Sequence, residues 1–175
     1  MKRILLATLI VVIAIVLLIV IIGTLLPKNH VSTRAARFQQ PPAAIWVVIT
    51  DYAKFPTWRQ DVARVDPLPE VDGKPSWREV DRHRGSIPYE VTVMIPPRAM
   101  VTRIADSKLT FGGTWTYEIT LAADGASLVR ITENGEIYNP VVRFVARFFM
   151  AYSKTQEQYL HELGLKFGDS VVIQN

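Results

Sequence analysis

FGGTWTYEITL, the stretch from Phe111 to Leu121, alternates large apolar residues with threonine and glutamate from position 114 onward. Successive side chains of a strand point to opposite faces, so this pattern predicts a strand with one buried and one solvated face. One wet face and one apolar face are typical of an antiparallel sheet. Trp115 and Tyr117 are therefore expected to point into the protein.

Short alternating runs of the same kind extend over residues 62–138. Glycine-containing segments separate them at residues 71–74 and 123–125, and both are typical of tight hairpin turns. Residues 111–113 are predicted to form a further turn. The segment therefore predicts about six strands of one sheet.

The chain before these strands predicts one more strand and two short helices. Residues 31–39 read as the first strand. Residues 43–50 are β-branched enough to be a strand, but the preceding prolines and the Ala-Ala pair favour a short helix. Residues 55–58 predict a second helical turn.

A long amphipathic helix is predicted for residues 139–168. Asn139 suits the N-cap, Pro140 the first helical position, and Gly168 or Gly164 the end. Apolar residues recur at spacings of three and four, which predicts a buried face. They are Val141, Val145, Phe148, Phe149, Tyr152, Tyr159, Leu160 and Leu163. Because no other long element can cover the apolar face of the sheet, we expect this helix to pack there. A curved sheet around a helix, with many aromatic side chains, favours a cavity between them.

An uncharged apolar run covers residues 4–26, and Pro27 ends it. Nineteen helical residues span roughly 30 Å, the thickness of a bilayer core. A cleaved signal peptide is the alternative, but its apolar region usually has only about 7–15 residues. The chain has no cysteine, which excludes a lipoprotein anchor. We expect a retained transmembrane anchor over residues 1–27 and one domain over residues 28–175, joined by a short tether at residues 27–31.

The charges say little about partners other than the membrane. All 16 acidic residues and 18 of the 20 basic residues follow the anchor, a balance that does not favour nucleic acid. Basic residues flank the span on both sides, and the very short N-terminal tail favours a cytoplasmic N-terminus. A single-pass membrane protein with an extracytoplasmic domain is the resulting prediction.

Seven stretches, in this order and spacing, carry a family resemblance. They are residues 45–52, 55–58, 77–79, 88–91, 98–106, 111–118 and 131–140. Together they resemble the SRPBCC superfamily (START-like, helix-grip fold), in its polyketide cyclase/dehydrase-type branch, over residues 31–168. The resemblance implies an α+β fold in which an antiparallel curved sheet of about seven strands grips a long C-terminal helix, with a tunnel between them. It also implies binding of lipids, polyketides or other hydrophobic molecules. Some relatives are cyclases or hydrolases, and many only carry or sense a ligand.

Glu133 is the first candidate site residue. It shares the parity of Ile131 and so is expected to point inward, where a buried carboxylate needs a partner or a proton. Arg103 and Arg82 on neighbouring strands are the possible partners. The carboxylate would serve as a polar anchor for a ligand or as a general acid/base; a structural ion pair is the alternative.

Glu79 is the second candidate, because it lies two residues from Trp77 on the same side of its strand. The pair would place a carboxylate beside an aromatic platform. The alternative is an exposed ladder of salt bridges along residues 77–82, with Val80 pointing inward.

The other candidates are aromatic. Tyr89, Trp115, Tyr117 and Tyr152 each combine an apolar body with a polar tip, which would orient an apolar ligand through a few hydrogen bonds. Trp58 would be a gate near the entrance, or else a loop anchor. Ordinary core packing is the alternative for each of them.

Other chemistries find no support in the pattern. His30, His83 and His161 have no metal-ligand spacing, and there is no thiol. No nucleophile elbow or phosphate-binding glycine loop is present. We therefore expect no metal or cofactor and assign no catalytic residue.

Three hypotheses follow. The first is a membrane-anchored, non-catalytic binder or carrier of a hydrophobic small molecule or lipid. The second is a cyclase, dehydratase or hydrolase that uses Glu133 or Glu79 with an arginine. The third is a protein-interaction module with a filled cavity.

A basic stripe at Arg143, Arg147 and Lys154 would contact anionic headgroups or be merely solvated. The sequence leaves the ligand and the oligomeric state open.

Overall fold

The computed structural model describes residues 1–82, 85–150 and 152–175, so His83 lies outside the described residues. The helices are α1 (Lys2–Leu25), α2 (Pro42–Thr50), a 3₁₀ helix (Tyr52–Thr57), α3 (Pro140–Phe149) and α4 (Lys154–Phe167). The strands are β1 (Asn29–Phe38), β2 (Val62–Val71), β3 (Lys74–Asp81), β4 (Gly85–Ile95), β5 (Ala99–Ile104), β6 (Phe111–Leu121), β7 (Ser127–Ile137) and β8 (Ile173–Gln174).

In the described part of the chain, eight strands form one antiparallel sheet in the order β2-β3-β4-β5-β6-β7-β1-β8. Strands β2 to β7 follow one another as hairpins, and β1 closes the order by pairing with β7. The eighth strand, β8, has two residues and pairs with Ala35 and Ala36 at the edge. The predicted α+β helix-grip class is confirmed, and residues 43–50 are helical as predicted.

Of two glycine-containing segments that were predicted to be turns, one forms a turn and the other lies inside a strand. Asp72 and Gly73 both have positive φ, 51° and 67°, as a tight hairpin turn needs, and they join β2 to β3 as predicted. The turn predicted around Gly112 and Gly113 is wrong, because both lie inside β6. Gly113 has a φ of 128°, and a Cβ there would collide with the backbone of Asn134 on β7. The glycine is therefore needed for the close approach of two strands.

Helix α4 covers the concave face of the sheet. Leu160 and Leu163 on α4 and Val129 and Ile131 on β7 are fully buried between them. Gln156, also fully buried, donates from Nε2 to the carbonyls of Ser32 and Ile131 at 2.9 and 3.1 Å. The C-terminal half of the predicted helix therefore packs on the sheet as expected.

The N-terminal half of the predicted helix forms a separate helix and does not pack on the sheet. Helix α3 ends at Phe149, Met150 is extended (φ −121°, ψ 139°), and α4 begins at Lys154. Four residues predicted to be buried on the sheet are exposed: Val141, Val145, Phe148 and Phe149. The single long helix is thus two helices, because α3 turns toward α1 and not onto the sheet.

Helix α1 is the one helix among the described residues that is long and apolar enough to cross a membrane. Its C-terminal end is braced against α3. Pro27 has no N–H, so the Gly23 carbonyl lacks its donor within the helix. Arg143 supplies one: its Nη1 lies 2.9 Å from the Gly23 oxygen and 3.1 Å from the Leu26 oxygen. Gly23 is buried, and a Cβ there would collide with the backbone of Pro140.

Arg143 also donates to the carbonyls of Ile137 and Tyr138, just before α3. The side chain is 4% exposed and so cannot belong to a solvated or lipid-facing basic stripe. That prediction is wrong for Arg143, whereas Arg147 and Lys154 are exposed.

Candidate functional site

Strand register brings most of the candidate residues onto the concave face. Trp77 on β3 pairs with Tyr89 on β4, and Trp115 on β6 pairs with Glu133 on β7. Tyr117 sits two pairs further along β6, opposite Ile131 and on the same face as Trp115. The inward parity predicted for these positions is therefore present.

An aromatic cluster occupies the space between the sheet and α4. Its members are Tyr52, Phe55, Trp58, Trp77, Tyr89, Trp115, Tyr117 and Tyr159. Tyr52 stacks on Trp77 with ring centroids 3.8 Å apart, and Tyr159 on α4 contacts Trp58 and Trp115 at 5.3 and 5.9 Å. The region that the resemblance implied to be a tunnel is therefore lined and largely occupied by rings in mutual contact.

An ion pair lies inside the aromatic cluster. Arg59 donates from Nη1 to Glu79 at 2.8 Å and from Nη2 to Asp61 at 3.1 Å. Glu79 also accepts from the Trp77 indole at 3.0 Å. Burial alone would lower the pKa of Arg59, but Glu79 and Asp61 outweigh it and raise that pKa. Glu79 is thus a carboxylate beside an aromatic ring as predicted, and the exposed ladder is wrong.

Buried hydroxyl groups surround this ion pair. Burial raises the pKa of Tyr89, Tyr117 and Tyr159, and it raises the pKa of Tyr52 to about 12. All four phenols therefore stay neutral at physiological pH. They offer polar, uncharged tips within an apolar region, which suits a ligand with few polar groups.

A rim pocket of about 510 Å³ opens to solvent beside the aromatic cluster. It is lined by Pro56, Thr57, Trp58, Arg59, Gln60, Arg82, Glu162, Leu165 and Lys166. Trp58 is buried, lines the pocket and contacts both Phe55 and Tyr159 with its ring, so it is the member of the cluster that separates the pocket from the other rings. Among the described residues, its indole N–H and the Oε2 of Glu162 are buried without a hydrogen-bond partner.

A second polar group, the His30 cluster, consists of His30, Glu133, Gly135 and Tyr152. His30 Nε2 lies 3.3 Å from Glu133 Oε1, and Tyr152 stacks on the imidazole with centroids 3.9 Å apart. Gly135 leaves room for the imidazole, since a Cβ there would collide with it. Burial raises the pKa of Glu133, and His30 opposes the shift. Within the described residues, His30 Nδ1 and Glu133 Oε2 have no partner.

The predicted arginine partners of Glu133 are wrong. Arg103 bonds Glu90 from the opposite face of the sheet, with Nε 2.7 Å from Oε1. Thr102, not Arg103, is paired with Trp115 and therefore points inward. Arg82 donates to the Gln60 carbonyl instead.

The His30 cluster and the rim pocket lie toward opposite ends of β1. His30 is at the start of the strand, next to α1, whereas Asp169, just after α4, accepts a hydrogen bond from the backbone N–H of Gln39. Leu165 and Lys166 of the rim pocket precede Asp169 by one helical turn. Among the described residues, no group of three or more His, Asp or Glu side chains is placed to hold a metal ion.

Residues missed by sequence reasoning are mostly those whose partners are distant in the chain. Arg59 faces the interior, but the segment around it carries only a short pattern. Tyr159 was predicted to be buried on the last helix but was not named as a site residue. His30 becomes informative only through the pairing of β1 with β7, which places it opposite Gly135.

Comparisons with known proteins agree with this architecture. The family model described as "Polyketide cyclase / dehydrase and lipid transport" matches residues 30–159. No curated protein matches the chain in sequence.

Solved structures share the fold at low sequence identity. A START superfamily protein from Mycobacterium smegmatis is 15% identical, with a TM-score of 0.63 over 78% of this chain and 96% of that chain. The Zhui aromatase/cyclase from Streptomyces sp. R1128 is 11% identical, with a TM-score of 0.65 over 80% and 92%. Norcoclaurine synthase from Thalictrum flavum is 6% identical, with a TM-score of 0.63 over 81% and 97%. At these identities the likeness concerns the fold alone.

The family model covers most of the chain, and it includes strands β2 to β7, the aromatic concave face and the first six residues of α4. This chain belongs to the polyketide cyclase/dehydrase and lipid transport family.

Proposed function

We propose that this protein is a membrane-anchored binder or carrier of a hydrophobic small molecule or lipid. The observation that carries the proposal is the rim pocket against Trp58. Its volume of about 510 Å³ lies within the range of small-molecule sites. Trp58 in turn contacts the aromatic cluster, so one side chain stands between the pocket and an apolar interior.

The residues of the pocket suggest how a ligand is held. An apolar body packs on Pro56, Trp58 and Leu165, and a polar end reaches Gln60 or the free oxygen of Glu162. Because the Trp58 indole N–H has no acceptor among the described residues, rotation of the ring breaks no hydrogen bond seen there. Trp58 would thus act as a gate to the neutral phenols inside.

The brace between α1 and α3 supports a retained anchor over a cleaved signal peptide. Arg143 is buried and uses its guanidinium on the carbonyls of Gly23 and Leu26. Removal of α1 would leave that charge without these partners, at a considerable cost in stability. We propose residues 1–27 as the anchor, residues 28–175 as the ligand-binding domain, and an extracytoplasmic position for that domain, because the N-terminal tail before the span is very short.

Photo-cross-linking in nanodiscs tests the proposal on the full chain. Phosphatidylcholine nanodiscs would carry a diazirine-bearing fatty acid, and mass spectrometry would locate the cross-links. We expect modified residues around Trp58 and Leu165 in addition to α1. Leu165→Asp should remove the pocket cross-links, whereas Leu121→Asp, at an exposed position on β6, should not. Cross-links confined to α1 and α3 would contradict the proposal for this class of ligand.

A proton-transfer enzyme is the second candidate, and the His30 cluster favours it. A largely buried carboxyl group with a raised pKa, 3.3 Å from an imidazole, is suited to general acid/base chemistry. The Glu79–Arg59 pair is less suited, because the polar groups around Glu79 already occupy both of its oxygens. The reaction class would be cyclisation, dehydration or hydrolysis of a hydrophobic substrate.

A protein-interaction module is the third candidate, since rings already occupy much of the interior. The same nanodiscs separate it from the first proposal. A wild-type chain that takes up neither the fatty acid nor a diazirine-bearing sterol at the rim pocket would favour the interaction module.

A further inference from the structure

Helix α3 presents a row of apolar side chains that nothing in the described structure covers. Phe148 and Phe149 are 57 and 76% exposed, Val141 and Val145 are 43 and 41% exposed, and Met150, just after the helix, is 56% exposed. The positions 141, 145, 148 and 149 fall on one side of a helix. Exposed apolar surface that is continuous along one helix face marks an interaction site.

The position of α3 along α1 indicates what covers this face. The residues at the end of the apolar run that are at least partly covered are Ile19, Val20, Ile22 and Gly23 of α1 and Leu26 just after it, and the packing of α3 on α1 accounts for them. From residue 19 to residue 26 the helix rises about 10 Å. These residues belong to the uncharged run that would fill a bilayer core, so α3 lies beside its last two turns.

The opposite side of α3 packs against the rest of the protein. Arg143 and Ala146 are buried, and Arg143 binds the end of α1 through backbone carbonyls. The exposed charge on α3 is Arg147, whose guanidinium suits the level of lipid phosphates. A helix with one strongly apolar side, a basic residue and a place at the edge of a span has the properties of an interfacial helix.

We infer that α3 lies in the interfacial layer of the bilayer that α1 crosses, with its apolar side among the acyl chains. The occupant of this face is lipid, because the face continues the apolar surface of α1. The inference rests on α1 being a membrane span, which is part of the proposed function, and it adds a second, independent lipid contact.

Single cysteines make the depth of α3 measurable, because the chain has no cysteine of its own. The full chain would carry an environment-sensitive nitrobenzoxadiazole label at Val145→Cys or Phe149→Cys in phosphatidylcholine vesicles. Leu25→Cys reports the end of the span, and Asp124→Cys reports the far end of the domain. Far-ultraviolet circular dichroism would confirm that each labelled variant is folded.

We expect labels at positions 145 and 149 to be quenched by doxyl-labelled lipids and protected from aqueous iodide, like the label at position 25. The label at position 124 should show the reverse. Iodide quenching at positions 145 and 149 equal to that at position 124, with position 25 protected, would overturn the inference and leave the anchor intact. Protection from iodide without quenching by doxyl lipids would identify a protein surface as the occupant and would also overturn it. Loss of doxyl quenching at position 25 would instead remove the anchor itself.

Discussion

The guanidinium of Arg143 lies 2.9 Å from the carbonyl oxygen of Gly23, 120 positions earlier in the chain. Proline at position 27 removes the donor that this carbonyl would have in a continuing helix, and the arginine replaces it. One side chain thereby joins the apolar N-terminal helix to the domain.

Arg143→Met should therefore destabilise the protein. A buried carbonyl left without a partner costs about 1–3 kcal/mol, and Arg143 serves more than one of them. Thermal unfolding of the full chain in detergent would measure the loss. Arg147→Met, on the exposed side of the same helix, is the control. An equal drop in both variants would argue against the brace.

The buried ion pair gives a second stability prediction. Arg59→Met alone should cost about 3–5 kcal/mol, because it leaves the Glu79 carboxylate charged among aromatic rings. The double variant Arg59→Met, Glu79→Met should recover part of that loss, since no unpaired charge remains among the rings and only the more exposed Asp61 loses its partner. Chemical denaturation would compare them. The exposed pair Arg64 and Asp66 is the control, and Arg64→Met should leave the unfolding midpoint essentially unchanged. Additive losses in the double variant would contradict the pairing.

Glu133 should make stability depend on pH in a specific direction. Its pKa is raised in the folded state, so the native protein binds the proton more tightly than the unfolded chain does. The stability that protonated Glu133 adds to the folded state is present at pH values below the unfolded pKa of about 4.3. It is lost as the pH rises through the raised pKa of the folded state.

Glu133→Gln removes this dependence. As the pH rises from the unfolded pKa of Glu133 through its raised folded pKa, the melting temperature of the variant should increase relative to that of the wild type. Melting curves between acidic and neutral pH would test the sign, and Glu118→Gln, on the exposed face of β6, controls for the loss of one charge. A variant whose melting temperature falls relative to that of the wild type as the pH rises would refute the assignment.

The catalytic alternative has its own signature. If the chain turns over a hydrophobic substrate, Glu133→Gln should lower kcat by about 10²–10⁴-fold, because an amide cannot transfer the proton. Gly135→Ala, which displaces the His30 ring, should act in the same direction. Glu90→Gln, on the far side of the sheet, should spare turnover. Unchanged kcat in Glu133→Gln would exclude this residue as the acid/base.

Trp58 provides a test of the gate. Trp58→Phe keeps an aromatic ring of smaller size and should speed the uptake of a diazirine fatty acid into the rim pocket in a cross-linking time course. Phe111→Leu, at the start of β6, is a matched aromatic control away from the pocket. Identical time courses for both variants and the wild type would show that the indole does not limit entry.

The face of the sheet was predictable from sequence because side chains on a strand alternate with a period of two. Trp115, Tyr117 and Glu133 point inward for that reason. The same rule would have excluded Arg103, whose neighbour Thr102 takes the inward position.

The break between α3 and α4 was not predictable from periodicity. No glycine or proline lies between residues 147 and 153, and the apolar spacing continues through it. What ends α3 is competition for its surface: residues 140–149 pack on α1, and residues 154–167 pack on the sheet. The partner of Glu133 was hidden for a related reason, since His30 lies 103 positions away and only strand pairing brings them together.

The link between α1 and β1 contains only three residues, and Arg143 ties the two parts across it. For a chain held in a bilayer by α1, this leaves little room for the domain to swing on its anchor. The ten residues of β1 span about 33 Å, and Asp169, one turn after Leu165, accepts from the backbone N–H of Gln39 just past the far end of that strand. Under the proposed function, a donor or acceptor would therefore have to meet the rim pocket away from the end of α1, and its own height above the lipid would decide whether it can exchange a ligand.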